Sequence, residues 1–128
     1  MREDSREWFH KGDEDLKAAK ILYREGLYAL SCFHSQQAIE KYLKAFLVEK
    51  GQEISKTHNL KFLINECREI DPAFAELLKR GVHYLTEYAV EVRYPGIYMP
   101  EKEDAEEALK LAEFSRGFIA GKLWINSL

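Results

Sequence analysis

The sequence predicts an all-α fold: an up-and-down bundle of about five helices with a four-helix core. Three observations carry that expectation. Apolar residues recur at three- and four-residue steps over long stretches, the spacing of a helix face. No stretch alternates apolar and polar residues for long enough to argue for a strand. The three prolines, Pro72, Pro95 and Pro100, all lie in the second half, while Gly26 and Gly51 punctuate the first. With 128 residues the chain suits a single domain, 1–128, and 46% apolar residues are enough to build its core.

The first helix is expected from about residue 5 to 24, on the stripe Trp8, Gly12, Leu16, Ala19, Leu22 and Tyr23. Asp4 and Glu7 stand where they would cap its start, and Gly26 follows its end. Asp15 falls inside the apolar stripe, which calls for a partner of opposite charge. The second helix, about 28 to 50, carries Tyr28, Cys32, Ile39, Tyr42, Leu43 and Phe46 on one face. Leu30, Phe33, Ala38, Ala45, Leu47 and Val48 spread around the rest. A helix apolar on most of its circumference is surrounded by others, so this one is central.

The third helix, about 58 to 70, presents Leu60, Leu63, Ile64 and Cys67, with Thr57 expected as its N-cap. Asp71-Pro72 then supplies a cap and a first-turn proline for a fourth helix. Phe74, Leu77, Leu78, Leu85, Tyr88, Ala89 and Val92 predict that it runs on to about Tyr94, where Pro95 disfavours helical geometry. The fifth starts after Pro100 with acidic residues in its first turn and the stripe Ala108, Ala112, Ser115, Ile119 and Leu123.

Composition narrows the function classes. A net charge of −3 does not indicate a broad nucleic-acid surface, though a local basic groove remains compatible with it. Cys32 and Cys67 lack a C-x-x-C spacing and read as buried thiols of a reducing compartment. There is no apolar signal region and no apolar run near ~20 residues, so the expectation is a cytoplasmic protein with no membrane association.

His34, Gln37, Lys41 and Lys44 form a polar stripe on the second helix, with Glu40 beside it. At ~100° per residue they fall within roughly 80° of arc. They read either as a groove for phosphate or a polar partner, or as a solvated seam in which Asp15 and Glu40 pair the lysines. Glu7-x-x-His10 has the spacing of a diiron half-site, but no second Glu-x-x-His exists, so no metal and no cofactor is expected. His58 reads as a capping residue and His83 as a surface or satisfied core histidine. Arg93 stands either as a helix-end cation or as a guanidinium presented with Tyr94 and Tyr98 to a phosphate.

Several segments taken together are familiar. These are Trp8 with Asp15-Leu16-x-x-Ala19, then Tyr28, then Cys32-Phe33-His34-Ser35-Gln36-Gln37-Ala38-Ile39-Glu40-Lys41-Tyr42-Leu43-Lys44-Ala45. Thr57-His58-Asn59-Leu60 follows, then Tyr88 and Arg93-Tyr94-Pro95. The pattern resembles the HEPN family (higher eukaryotes and prokaryotes nucleotide-binding), in its stand-alone prokaryotic branch encoded beside minimal nucleotidyltransferases. The resemblance implies an all-α homodimer associated with nucleotide or RNA. In many members it also implies a metal-independent ribonuclease whose arginine acts on the phosphate and whose histidine, a few residues downstream, moves a proton.

This chain departs from that pair. Tyr98 stands where the histidine would follow Arg93, and His10, His34, His58 and His83 all precede it. A phenol, with an ordinary pKa near ~10, is a poor proton shuttle at neutral pH. The reading is therefore a non-catalytic or weakly catalytic, dimeric, nucleotide- or phosphate-binding module paired with a nucleotidyltransferase, in a toxin-antitoxin-like pair. Its contacts are His34, Gln37, Lys41, Lys44, Arg93, Tyr94 and Tyr98. Two alternatives stand beside it: a divergent ribonuclease in which His34 or His58 replaces the missing histidine, and a helical interaction module with no ligand.

Overall fold

The computed structural model describes residues 1–91 and 99–124. The described residues form helices α1 (Glu3–Arg24), α2 (Tyr28–Glu49), α3 (Leu60–Ile70), α4 (Ala75–Lys79), α5 (Tyr88–Glu91) and α6 (Lys102–Trp124). Two 3-10 turns, Pro72–Phe74 and Val82–Glu87, lie between them. No strand occurs among the described residues. None of these helices is long and apolar enough to cross a membrane.

α2 is the axis of the fold and packs against α1, α3, α5 and α6. Tyr42, Leu43, Ala45, Phe46 and Leu47 are all essentially without solvent contact, so burial runs right around the helix. Phe74 from the first 3-10 turn fits between α2 and α6. Its ring centroid lies 4.5 Å from Phe46 and 5.1 Å from Phe118. On α6 the expected stripe, Ala108, Ala112, Ser115, Ile119 and Leu123, is buried throughout.

Several element ends differ from expectation. α1 begins at Glu3, and no side chain caps it; Asp4 Oδ1 instead accepts from the Ser5 N–H at 3.0 Å. The cap of α3 is Asn59, whose side chain accepts from Phe62 N–H, while Thr57 Oγ1 accepts from Asn59 N–H. The single fourth helix is replaced by a 3-10 turn, α4, a second 3-10 turn and α5. Asp71 caps the first turn as expected, accepting from Ala73 N–H. The break comes at Gly81, whose φ of +79° is left-handed backbone that ends α4 and redirects the chain. Phe74, Leu77, Leu85, Tyr88 and Ala89 still reach the core from the broken pieces. Val92 lies outside the described residues.

α1 and α6 are clasped through Asp13. Arg116 Nε donates to Asp13 Oδ1 at 2.7 Å, and the Tyr42 hydroxyl donates to the same oxygen at 2.6 Å. The Arg116 guanidinium also lies 5.2 Å from the Phe9 ring centroid. Burial works to raise the Asp13 pKa, but the hydrogen bonds from Arg116 and Tyr42 outweigh it and hold the carboxyl below its ordinary value. A depressed carboxylate contributes stability that is present above its unfolded value, near ~3.9, and is lost as pH falls through the folded value. The expected result is a urea midpoint that drops below about pH 4 in the wild type. In Asp13→Asn that part of the drop is absent, because the midpoint is already lower at neutral pH. Identical pH profiles for the two proteins would contradict this clasp.

Candidate functional site

The polar residues of α2 gather into two carboxylate-centred clusters. In the first, Asp15 of α1 sits at the seam with α2. Its Oδ1 meets His34 Nδ1 at 2.8 Å, and its Oδ2 accepts from Lys41 Nζ. The Asp15 side chain is only 12% exposed, against 30% for His34 and 25% for Lys41, so the acid lies beneath and the two bases face outward. This is how an acid in an apolar stripe is tolerated: two donors from the next helix satisfy it. Gln37, half-buried one turn from His34, donates to Gln36 Oε1 at 2.7 Å.

The second cluster is centred on Glu40, whose side chain is 4% exposed. Lys44 Nζ donates to Oε2 at 3.0 Å, and His58 Nδ1 meets Oε1 at 2.8 Å. Gln36 Nε2 is shared between Glu40 Oε1 at 3.3 Å and the His58 carbonyl at 3.2 Å. Lys44 is itself buried, with its ammonium 5.6 Å from the centre of the Trp8 ring. Gln36 also accepts from Gln37, so the Glu40 cluster extends by one further side chain along α2.

The stripe read from sequence is therefore divided. His34, Gln37 and Lys41 share the partly open seam with α1, while Lys44 lies covered and ion-paired further along the helix. His58, expected as a cap, instead fastens the segment before α3 to α2 through Glu40. Its imidazole remains 58% exposed beyond that contact. Gln36 and His58 are the network members that spacing on α2 did not single out. The only sequence signal for His58 is its place in Thr57-His58-Asn59-Leu60. Arg93, Tyr94 and Tyr98 lie outside the described residues.

The described residues on either side of 92–98 both meet the first half of α2. Tyr88 at the start of α5 hydrogen-bonds with the Cys32 thiol, and burial pushes that thiol up to about 12. On the other side, Met99 and Pro100 line an apolar cavity of about 380 Å³ with Leu27, Tyr28, Ala29 and Leu30. Leu30 is one helical turn from His34 on the same face of α2. Leu27, Leu30 and Met99 are exposed there. Glu7 and His10 are both exposed on α1. Among the described residues no group of three or more histidine, cysteine or acidic side chains is placed to hold a metal ion.

The sequence model of the HEPN domain matches residues 5–120. The chain belongs to the HEPN family. Its HEPN fold is seen again in TT1696 of Thermus thermophilus, with a TM-score of 0.83 and 28% identity over 95% of this chain and 100% of that one. ST0689, described as an archaeal HEPN homologue, gives a TM-score of 0.74 and 26% identity over 95% and 98% of the two chains. A Methanocaldococcus jannaschii protein named "Putative toxin MJ1304" is 35% identical over 118 residues, which cover 80% of this HEPN chain and 77% of that protein.

Proposed function

We propose that this HEPN chain is the toxin-like member of a two-protein pair, a cytoplasmic homodimer that binds the phosphates of nucleotide or RNA and works with a minimal nucleotidyltransferase. The observation that carries the reading is the trio Asp15, His34 and Lys41. One half-buried carboxylate orients two outward-facing bases side by side, within a turn of where the chain returns to α2 after residues 92–98. Lysine has three N–H donors and imidazole two ring nitrogens, so each retains bonding capacity after meeting Asp15. The Lys41 ammonium offsets the Asp15 charge, and Arg93 adds a fork of donors for a phosphate. Tyr94 and Tyr98 supply rings for a base to stack on. Lys44 is buried and paired with Glu40, so the phosphate contact on α2 is assigned first to His34 and Lys41. The name of the Methanocaldococcus relative supports the toxin-like role. The exposed Leu27, Leu30 and Met99 give a second copy an apolar surface beside the site.

Titration of AMP and of a short single-stranded RNA into wild type, Lys41→Met and Arg93→Ala tests this reading. Loss of one charge-assisted contact is expected to weaken binding by roughly ten-fold in each variant. Unchanged affinity in both variants, or no binding by the wild type, would overturn it.

A second reading has an observation of its own. His34 and His58 each present Nδ1 to a carboxylate, the arrangement that fixes an imidazole for proton transfer at its other nitrogen. RNA cleavage in chelator, abolished by His34→Ala or His58→Ala, would make the chain a ribonuclease. Intact RNA after long incubation across several pH values would exclude that reaction.

A further inference from the structure

Tyr84 is the most exposed large apolar side chain among the described residues, at 71%. It is not loosely placed. Gly81, with its left-handed φ, turns the chain after α4 so that the Tyr84 N–H donates to the Gly81 carbonyl at 3.1 Å. The ring then lies over Gly81, where an added Cβ would come within 3.2 Å of Tyr84 Cδ2. Behind it the His83 ring packs at a centroid distance of 4.1 Å and a tilt of 35°. Burial and the nearby charge of Lys61 hold the His83 pKa below its ordinary value. The result is an aromatic plate packed on one side and open to solvent on the other.

The plate borders a cavity of about 480 Å³, also lined by Lys79, Arg80, Glu87 and Glu107. Pockets for small ligands begin at roughly 300 Å³, so a nucleotide fits by size. The Arg80 guanidinium stacks on a ring and meets a carboxylate. Its Cζ lies 3.8 Å from the Phe114 centroid, and its Nε donates to Glu76 Oε2 at 3.2 Å. That uses one N–H of five and leaves the others for an anion. A larger groove between α1 and α6, about 540 Å³, is less suited, because no aromatic side chain lines it for a base to stack on.

The structure assigns this cavity as a second nucleotide site, in which a nucleobase stacks on Tyr84 and its phosphate meets Lys79 and Arg80. Glu87 and Glu107 stand at the same wall as acceptors for ribose hydroxyls or base amino groups. Stacking on an aromatic plate needs no particular base and serves a free nucleotide or one within a strand equally well. The inference rests on the reading that the chain binds nucleotide, and places a second contact away from α2.

The test is titration of AMP and of an oligoadenylate into wild type, Tyr84→Ala, Tyr84→Phe and Lys41→Met, with thermal unfolding of each to confirm the fold. Loss of the ring in Tyr84→Ala is expected to weaken binding roughly ten-fold or more, while Tyr84→Phe keeps the plate and stays close to wild type. Weakening for AMP identifies a free nucleotide as an occupant. Weakening for the oligomer alone identifies a strand. Wild-type affinity in Tyr84→Ala for both ligands, with Lys41→Met weakened, would overturn this site and leave the α2 site standing. The reverse pattern would establish this site and remove Lys41 from the other. No binding of either ligand by wild type would overturn both.

Discussion

Glu40→Ala is expected to lower stability by about 3–5 kcal/mol, because it strands a buried charge. Lys44 has its counterion at 3.0 Å, and both side chains are less than a tenth exposed. Removing the carboxylate leaves the ammonium beneath Trp8 with a ring face at 5.6 Å and no full negative charge beside it. The same change releases the second ring contact of the cluster, His58 at 2.8 Å, and one partner of Gln36. Urea unfolding measures the loss. The double variant Glu40→Ala/Lys44→Met should recover much of it, since an apolar side chain of similar length has no charge to strand. A Glu40→Ala cost under about 1 kcal/mol with Lys44 intact would show that the pair is not buried as described. Asp15→Ala provides the contrast. His34 and Lys41 are each about a quarter or more exposed, so water takes over their solvation and the loss is expected to be smaller.

Gly12→Val is expected to destabilise by about 3 kcal/mol, at the upper end for overpacking. A Cβ on Gly12 alone would sit 2.7 Å from Tyr42 Cε1 and 2.8 Å from Cδ1. The ring cannot swing aside cheaply. Tyr42 is fully buried, its hydroxyl is held by Asp13 at 2.6 Å, and Phe9 packs on it at 4.8 Å. Glycine in mid-helix itself costs about 1 kcal/mol relative to alanine, so α1 gives up helix propensity to let α2 approach. Combining Gly12→Val with Tyr42→Leu should be markedly less damaging than the sum of the two, since the pair shares one volume. Simple additivity, or a Gly12→Val protein as stable as wild type, would contradict the close approach.

What was legible in the sequence followed from local rules. The position of α2 at the centre could be read because apolar residues surround it. The ends at Gly26 and Gly51 could be read because each glycine closely follows the last residue of an apolar stripe, and both take left-handed φ, +76° and +77°. Asp15 declared its need for a partner by standing in an apolar stripe. The break at Gly81 was hidden, since Leu77, Leu78, Leu85 and Tyr88 keep a spacing that a continuous helix would also show, and a glycine does not announce the sign of its φ. The deeper misses are contacts between residues distant in sequence. Asp13 and Arg116 are 103 residues apart, and His58 reaches Glu40 across 18. Nothing in either local pattern points to the other. Lys44 shares a helical stripe with Lys41, yet Trp8 covers one and not the other, and a spacing rule alone does not contain that difference.

The most direct measurement is a map of backbone amide shifts in wild-type protein during titration with AMP. The account predicts that the saturating changes include residues 30–41 of α2 and residues 92–98, with a separate group at 79–87 from the Tyr84 cavity. Binding that leaves 30–41 and 92–98 unmoved would contradict the claim that the Asp15–His34–Lys41 seam and the Arg93 segment form one phosphate site.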